Sequence, residues 1–194
     1  MTRLFRWALA GAFGLAVAAC VPEFETPLSE GPAADPAVLG TWNAASEGDD
    51  QTMIIEVAAE GEGISVILRD PKGSEEHLAF KGRTAEANGV HYASLTPADP
   101  EKMGAGDTKV GYLLFRYEAA GDTIKVWSLD TEAVGKAVES GKLKGTVTGS
   151  GSDTQPKITA SSAEVAAFLS TDEGQAAFKN AAPDDVLIMK RAAP

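Results

Sequence analysis

Between residues 51 and 92 the chain has a pattern that few folds accommodate. Apolar side chains recur at every second position in short runs, and each run stops at turn chemistry. Met53, Ile55 and Val57 share one parity, and so do Ile64, Val66 and Leu68 after the Gly61-Glu62-Gly63 turn. Asp70-Pro71-Lys72-Gly73 suits a type I turn, because proline presets φ at its second position. Leu78 and Phe80 mark a third strand. Asn88-Gly89 is a hairpin signal, since both residues tolerate positive φ, and Val90 and Tyr92 carry the strand that follows. Period-2 runs joined by tight turns predict an antiparallel meander.

The rest of the chain extends this reading. Residues 96–108 form a long stretch without apolar periodicity; it either lies over one end of the sheet or decorates a hairpin. Its Asp99, Glu101 and Asp107 lack the repeated oxygen ligands of a calcium loop. Gly111 to Tyr117 is apolar on both faces, which predicts a central strand. After the Ala120-Gly121-Asp122 turn, Ile124 and Val126 take one face, while Trp127 and Leu129 take the other and need a cover. A helix over 131–140 supplies it, with Val134, Ala137 and Val138 on one stripe and Gly141 as its stop. Residues 144–156 read as a weak edge strand or loop, and Lys157 to Ala160 as a short strand. Ser161 and Glu164 form a capping-box pattern ahead of a second helix, and Ser170 and Glu173 repeat it ahead of a third. Ala181 to Asp185 breaks the last helix. Val186 to Arg191 is a final strand that closes the sheet near its start. The expected class is therefore β-rich α+β: a meander forming a barrel or strongly curved sheet, with two or three short helices in the C-terminal half.

Gly40-Thr41-Trp42 resembles the G-x-W element that opens the first strand of lipocalins and related calycin barrels. The resemblance implies a lipocalin-like barrel in which Trp42 packs at the closed end under a cation from a late strand. Arg191 is the first choice for that cation and Lys190 the second; such a contact contributes about 0.5–2 kcal/mol. The chain departs from lipocalins in placing helices both before and after Lys157–Ala160, and it lacks their internal T-D-Y motif. With Leu39 in front, the same residues resemble the Leu-Gly-x-Trp opening of a type of small bacterial lipoprotein. That likeness implies a fold and a location, not an activity.

The N-terminus carries its own instruction. Arg3 and Arg6 precede an uncharged apolar run from Trp7 to Ala19, shorter than the ~20 residues a bilayer-spanning helix needs. It ends in Val17-Ala18-Ala19-Cys20, which resembles the lipobox of bacterial lipoproteins. The resemblance implies that residues 1–19 are a signal peptide, that Cys20 carries a thioether-linked diacylglyceryl group, and that the new amino terminus is acylated. Cys20 is the chain's one cysteine, so it has no intramolecular disulfide partner. Valine rather than aspartate at position 21 resembles outer-membrane sorting, with the protein facing the periplasm. Residues 20–36 hold four prolines, three glutamates and an aspartate and read as a lipid-anchored tether of up to about 50 Å. Residues 37–194 read as one domain.

Composition narrows the partners. The formal charge is −11, and losing Arg3 and Arg6 with the signal peptide takes it to −13. Such a chain has no cationic surface for phosphate backbones, so no nucleic-acid partner is expected and membrane attachment falls to the lipid. The histidines are His77 and His91. Both sit opposite the apolar parity of their strands; they read as surface residues, with a shared zinc site as the alternative. No H-E-x-x-H, G-x-S-x-G, S-x-x-K or P-loop pattern is present. No catalytic residue, cofactor or metal is assigned, and an enzyme is the least favoured class. Two roles stay open. A hollow barrel lined by Ile55, Val66, Leu68, Phe80, Tyr92, Leu114, Ile124 and Val126 would bind a small apolar molecule. A filled barrel would leave a protein–protein accessory module of the envelope, marked by an exposed apolar patch around Trp127 or Phe178.

Overall fold

A computed structural model describes residues 21–46, 52–71, 76–101, 110–149, 154–179 and 186–193. The expected signal peptide at residues 1–19, Cys20, most of the 96–108 stretch and the expected 181–185 helix breaker lie outside the described residues.

The alternating runs form the expected meander. Strands β2 (Gly40–Ser46), β3 (Met53–Glu60), β4 (Gly63–Arg69), β5 (Glu76–Ala87), β6 (Val90–Pro97), β7 (Tyr112–Ala120) and β8 (Thr123–Ser128) each pair antiparallel with the next. At the hairpin signal, Asn88 and Gly89 both adopt positive φ, 53° and 74°. The last strand, β11 (Leu187–Arg191), pairs with β8 on one side and β2 on the other, so eight strands close into a lipocalin-like antiparallel barrel. Closure pairs both edges of an otherwise open sheet. It also brings the backbones of β5 and β6 close together at Gly82, where a Cβ would lie 1.9 Å from the Ser94 carbonyl oxygen of β6.

Between β8 and β11 the chain leaves the barrel and builds a second layer. Helix α1 (Thr131–Glu139) buries Val134 and Ala137 and ends at Gly141 with φ 73°. Strands β9 (Gly145–Thr148) and β10 (Gln155–Ile158) form a hairpin with β9 outermost. Helix α2 (Ser162–Leu169) carries both arms of the capping box between Ser161 and Glu164. Helix α3 (Asp172–Lys179) starts one residue later than the repeated pattern predicts. Thr171 Oγ1 accepts the Gly174 N–H, while Ser170 caps the end of α2 and donates to the Ala166 carbonyl. This layer packs on the outer face of β5–β7, burying Ala85, Ala87, Tyr92 and Leu114 with Phe168, Leu169 and Phe178.

Two expectations need correction. Tyr92 and Leu114 do not line the barrel; both lie under the helices. β6 and β7 are apolar on both faces, so parity alone cannot choose. In the structure Ala93 and Leu95, with Leu113, Phe115 and Tyr117, take the inside. The second correction concerns residues 21–36, which are not a free tether. Pro22, Phe24 and Leu28 are buried, and Glu23–Phe24 form β1, parallel to β10 and antiparallel to β7. Farther on, the Thr84 N–H donates to Ala33 O and the Glu86 N–H to Glu30 O, at 2.9 and 3.0 Å. Two large apolar side chains outweigh a composition that otherwise favours extension in solvent.

Candidate functional site

The barrel has one sealed end, and its chemistry is the G-x-W element. Trp42 is fully buried, and its indole N–H donates to the Val38 carbonyl at 2.9 Å. Arg191, not the outward-facing Lys190, lies over the ring, 4.2 Å from its centre. The guanidinium also donates to Asp122 and to the Leu39 carbonyl. Gly40 makes room for it. Its φ is +129°, and a Cβ there would stand 2.7 Å from Arg191 Nη1. One motif thus supplies the ring, the space for the cation and the turn that brings in the chain.

Beside it, the segment before β2 closes the base. The Asp35 N–H donates to Thr84 Oγ1, and Asp35 Oδ1 accepts the Ala37 N–H. Asp35 Oδ2 accepts the Tyr117 hydroxyl at 2.7 Å. Burial first, and then the Asp35 carboxylate, push the Tyr117 hydroxyl far above the ordinary tyrosine range, so it stays a neutral donor. His91 stacks on Tyr117 with ring centres 5.4 Å apart, and its Nδ1 lies 4.0 Å from Asp35 Oδ2. His91 pairs across the strands with Glu86, nine residues along β5 from His77. The two histidine backbones therefore sit toward opposite ends of β5, at most about 30 Å apart, and they do not meet in one site. Among the described residues, no group of three His, Cys, Asp or Glu side chains is placed to hold a metal ion. The arrangement is a hydrogen-bonded clamp on the base of the barrel.

The opposite end differs. Met53, Leu68, Leu78, Phe115, Val126 and Leu187 share the interior parity, pack against the barrel core and remain partly exposed. They sit near the strand ends away from the clamp, with Leu68 opposite Leu78 and Val126 opposite Leu187. Below them Trp42, Ile55, Tyr117 and Ile124 are buried. Among the described residues these six form an apolar rim at that end, over a buried core. Leu68 and Val126 were legible as lining from parity. Met53, Leu78, Phe115 and Leu187 were not selected, although Met53 shares parity with Ile55 and Leu78 with Phe80. Asp35 and Tyr117 were missed because Asp35 lies in a segment with the composition of a linker.

No family model, curated protein or solved structure matches this chain.

Proposed function

We propose that this is a lipid-anchored protein of the cell envelope that binds a small apolar molecule and performs no chemistry on it. The observation that supports the reading is the apolar rim: six partly exposed side chains of interior parity near the strand ends opposite the clamp. Apolar surface left at the end of a closed barrel is what an apolar ligand covers, at roughly 0.8 kcal/mol per buried CH₂. Two features support the non-catalytic part. The His91 cluster is engaged in holding the floor, and the histidines stand far apart. The accessory-module reading draws less support. Phe178 is buried against Tyr92, and Trp127 is partly covered by Arg116 at 5.3 Å.

The anchor rests on the lipobox at Val17 to Cys20. A Cys20→Ala chain is expected to lose the lipid label and membrane attachment. Unchanged attachment with no loss of label sinks this half of the proposal. For the ligand, native mass spectrometry of the delipidated domain is expected to show an exchangeable apolar adduct at one per chain. Recovery of the bare chain only, after incubation with long-chain fatty acid, counts against it.

A further inference from the structure

Closing the barrel leaves one strand with a single neighbour. Among the described strands this is β9, at the end of the order β7-β1-β10-β9. Its register with β10 fixes which of its backbone groups point outward. Val147 lies opposite Pro156, and proline has no N–H to donate. The two residues therefore form a non-hydrogen-bonded pair, and the ladder bonds run through Thr146 with Lys157 and Thr148 with Gln155. The Thr159 N–H donates to Lys144 O at 3.0 Å, in the same alternation. The N–H and C=O groups of Gly145 and Val147 consequently point away from β10 along the open edge. Among the described residues nothing bonds to these four groups.

From this geometry we infer that β9 pairs antiparallel with the β9 of a second copy of this chain, about a two-fold axis at Thr146. The edge is self-complementary in that register. Gly145 of each copy exchanges both of its bonds with Val147 of the other, Thr146 faces its own counterpart, and Lys144 faces Thr148. Charge favours a second copy as the occupant. The chain carries 28 acidic residues and a formal charge of −11, so two copies repel over most of their surface. Gly141 to Gly149 holds two lysines and no carboxylate. Glu173 and Glu25, which stand beside this stretch, are paired with Lys142 and Lys157. The proposed register sets no lysine opposite its own counterpart, and threonine opposite threonine is a favourable cross-strand pair. A guarded edge carries a proline, a bulge or a charge; Gly145-Thr146-Val147-Thr148 carries none of these, and Thr146 and Thr148 are exposed. The pairing needs neither the lipid nor the apolar ligand.

Four backbone hydrogen bonds make a weak contact, so the test traps it covalently. The full chain carries Cys20→Ala, which leaves an added cysteine as its one thiol. Across a non-hydrogen-bonded pair the two Cα atoms lie about 4.5 Å apart, within the span of a disulfide. Position 148 stands two residues off the axis in each copy, about 14 Å from its counterpart. On mild oxidation Thr146→Cys is expected to convert most of the chain to a covalent dimer on a non-reducing gel, and Thr148→Cys to stay monomeric. Monomer alone from Thr146→Cys, equal dimer from Thr148→Cys, or a disulfide from Thr146→Cys to a different protein overturns the pairing. Val147→Pro supplies a second arm, because it removes an outward N–H and no bond between β9 and β10. Added to Thr146→Cys, it is expected to abolish the dimer with the melting temperature nearly unchanged. Persistence of the dimer in that double variant overturns the assignment to this edge.

Discussion

Tyr117 shows how a single residue ties the barrel to the segment beneath it. Its hydroxyl is buried, donates to Asp35 and is held neutral well above the usual tyrosine range. A raised folded pKa gives stability that is complete below the unfolded value near 10 and is lost as pH rises through the folded value. Wild type is therefore expected to lose melting temperature steeply above about pH 10. Tyr117→Phe should start lower at pH 8 but fall less steeply between pH 9 and 11.5; equal slopes contradict this account of Tyr117. Arg191 gives a second residue-level prediction. Its guanidinium is partly exposed over Trp42, so Arg191→Ala should cost about 0.5–1 kcal/mol from the cation–π contact. The accompanying hydrogen bonds to Leu39 O and Asp122 add to that. Urea unfolding followed by tryptophan fluorescence reads the difference, and Lys190→Ala is the control, since Lys190 points outward.

Among elements, the two that most affect the fold are the segment before β2 and the close approach of β5 to β6 at Gly82. Leu28 is buried between the barrel and the helical layer, and its N–H donates to Ser94 Oγ. Leu28→Ala is expected to cost about 2–5 kcal/mol in chemical denaturation; a change near zero would restore the tether reading. At Gly82 an added methyl would meet the backbone oxygen of Ser94, which cannot swing away as a side chain can. Gly82→Ala should therefore destabilise by about 1–3 kcal/mol, and a neutral effect would show that β5 and β6 can separate there at no cost. These two elements also mark what was legible in the sequence. The meander from Met53 to Tyr92 reads directly from period 2 and from Asn88-Gly89, because one face of each strand is apolar and each turn needs special φ. Helix α2 reads from Ser161 and Glu164, because a capping box is local. The packing of residues 21–36 does not read, because composition sums over prolines and glutamates while two buried side chains, Phe24 and Leu28, decide the outcome. The interior side of β6 and β7 does not read either, because both faces of those strands are buried, one in the barrel and one under helices.

For the molecule as a whole, the barrel and its outer layer divide the labour. The helices and the β9–β10 hairpin cover one flank, and the clamp at Asp35, Thr84 and Tyr117 closes one end. Among the described residues, Met53, Leu68, Leu78, Phe115, Val126 and Leu187 form a partly exposed apolar rim near the strand ends opposite the clamp. The barrel itself was foreseeable from Gly40-Thr41-Trp42, the alternating strands and the late strand at Val186 to Arg191. Its polarity, one end sealed and one end apolar, was not, because it depends on where the N-terminal segment lies. The account stands or falls on whether that apolar rim binds a ligand. The direct measurement is a fluorescence titration of the chain from Val21 onward with the apolar dye N-phenyl-1-naphthylamine. It predicts saturable enhancement at one dye per chain, displaced by a long-chain fatty acid and abolished by Leu68→Asp in protein that still melts cooperatively. Absence of saturation in wild type, or equal binding by Leu68→Asp, would contradict it.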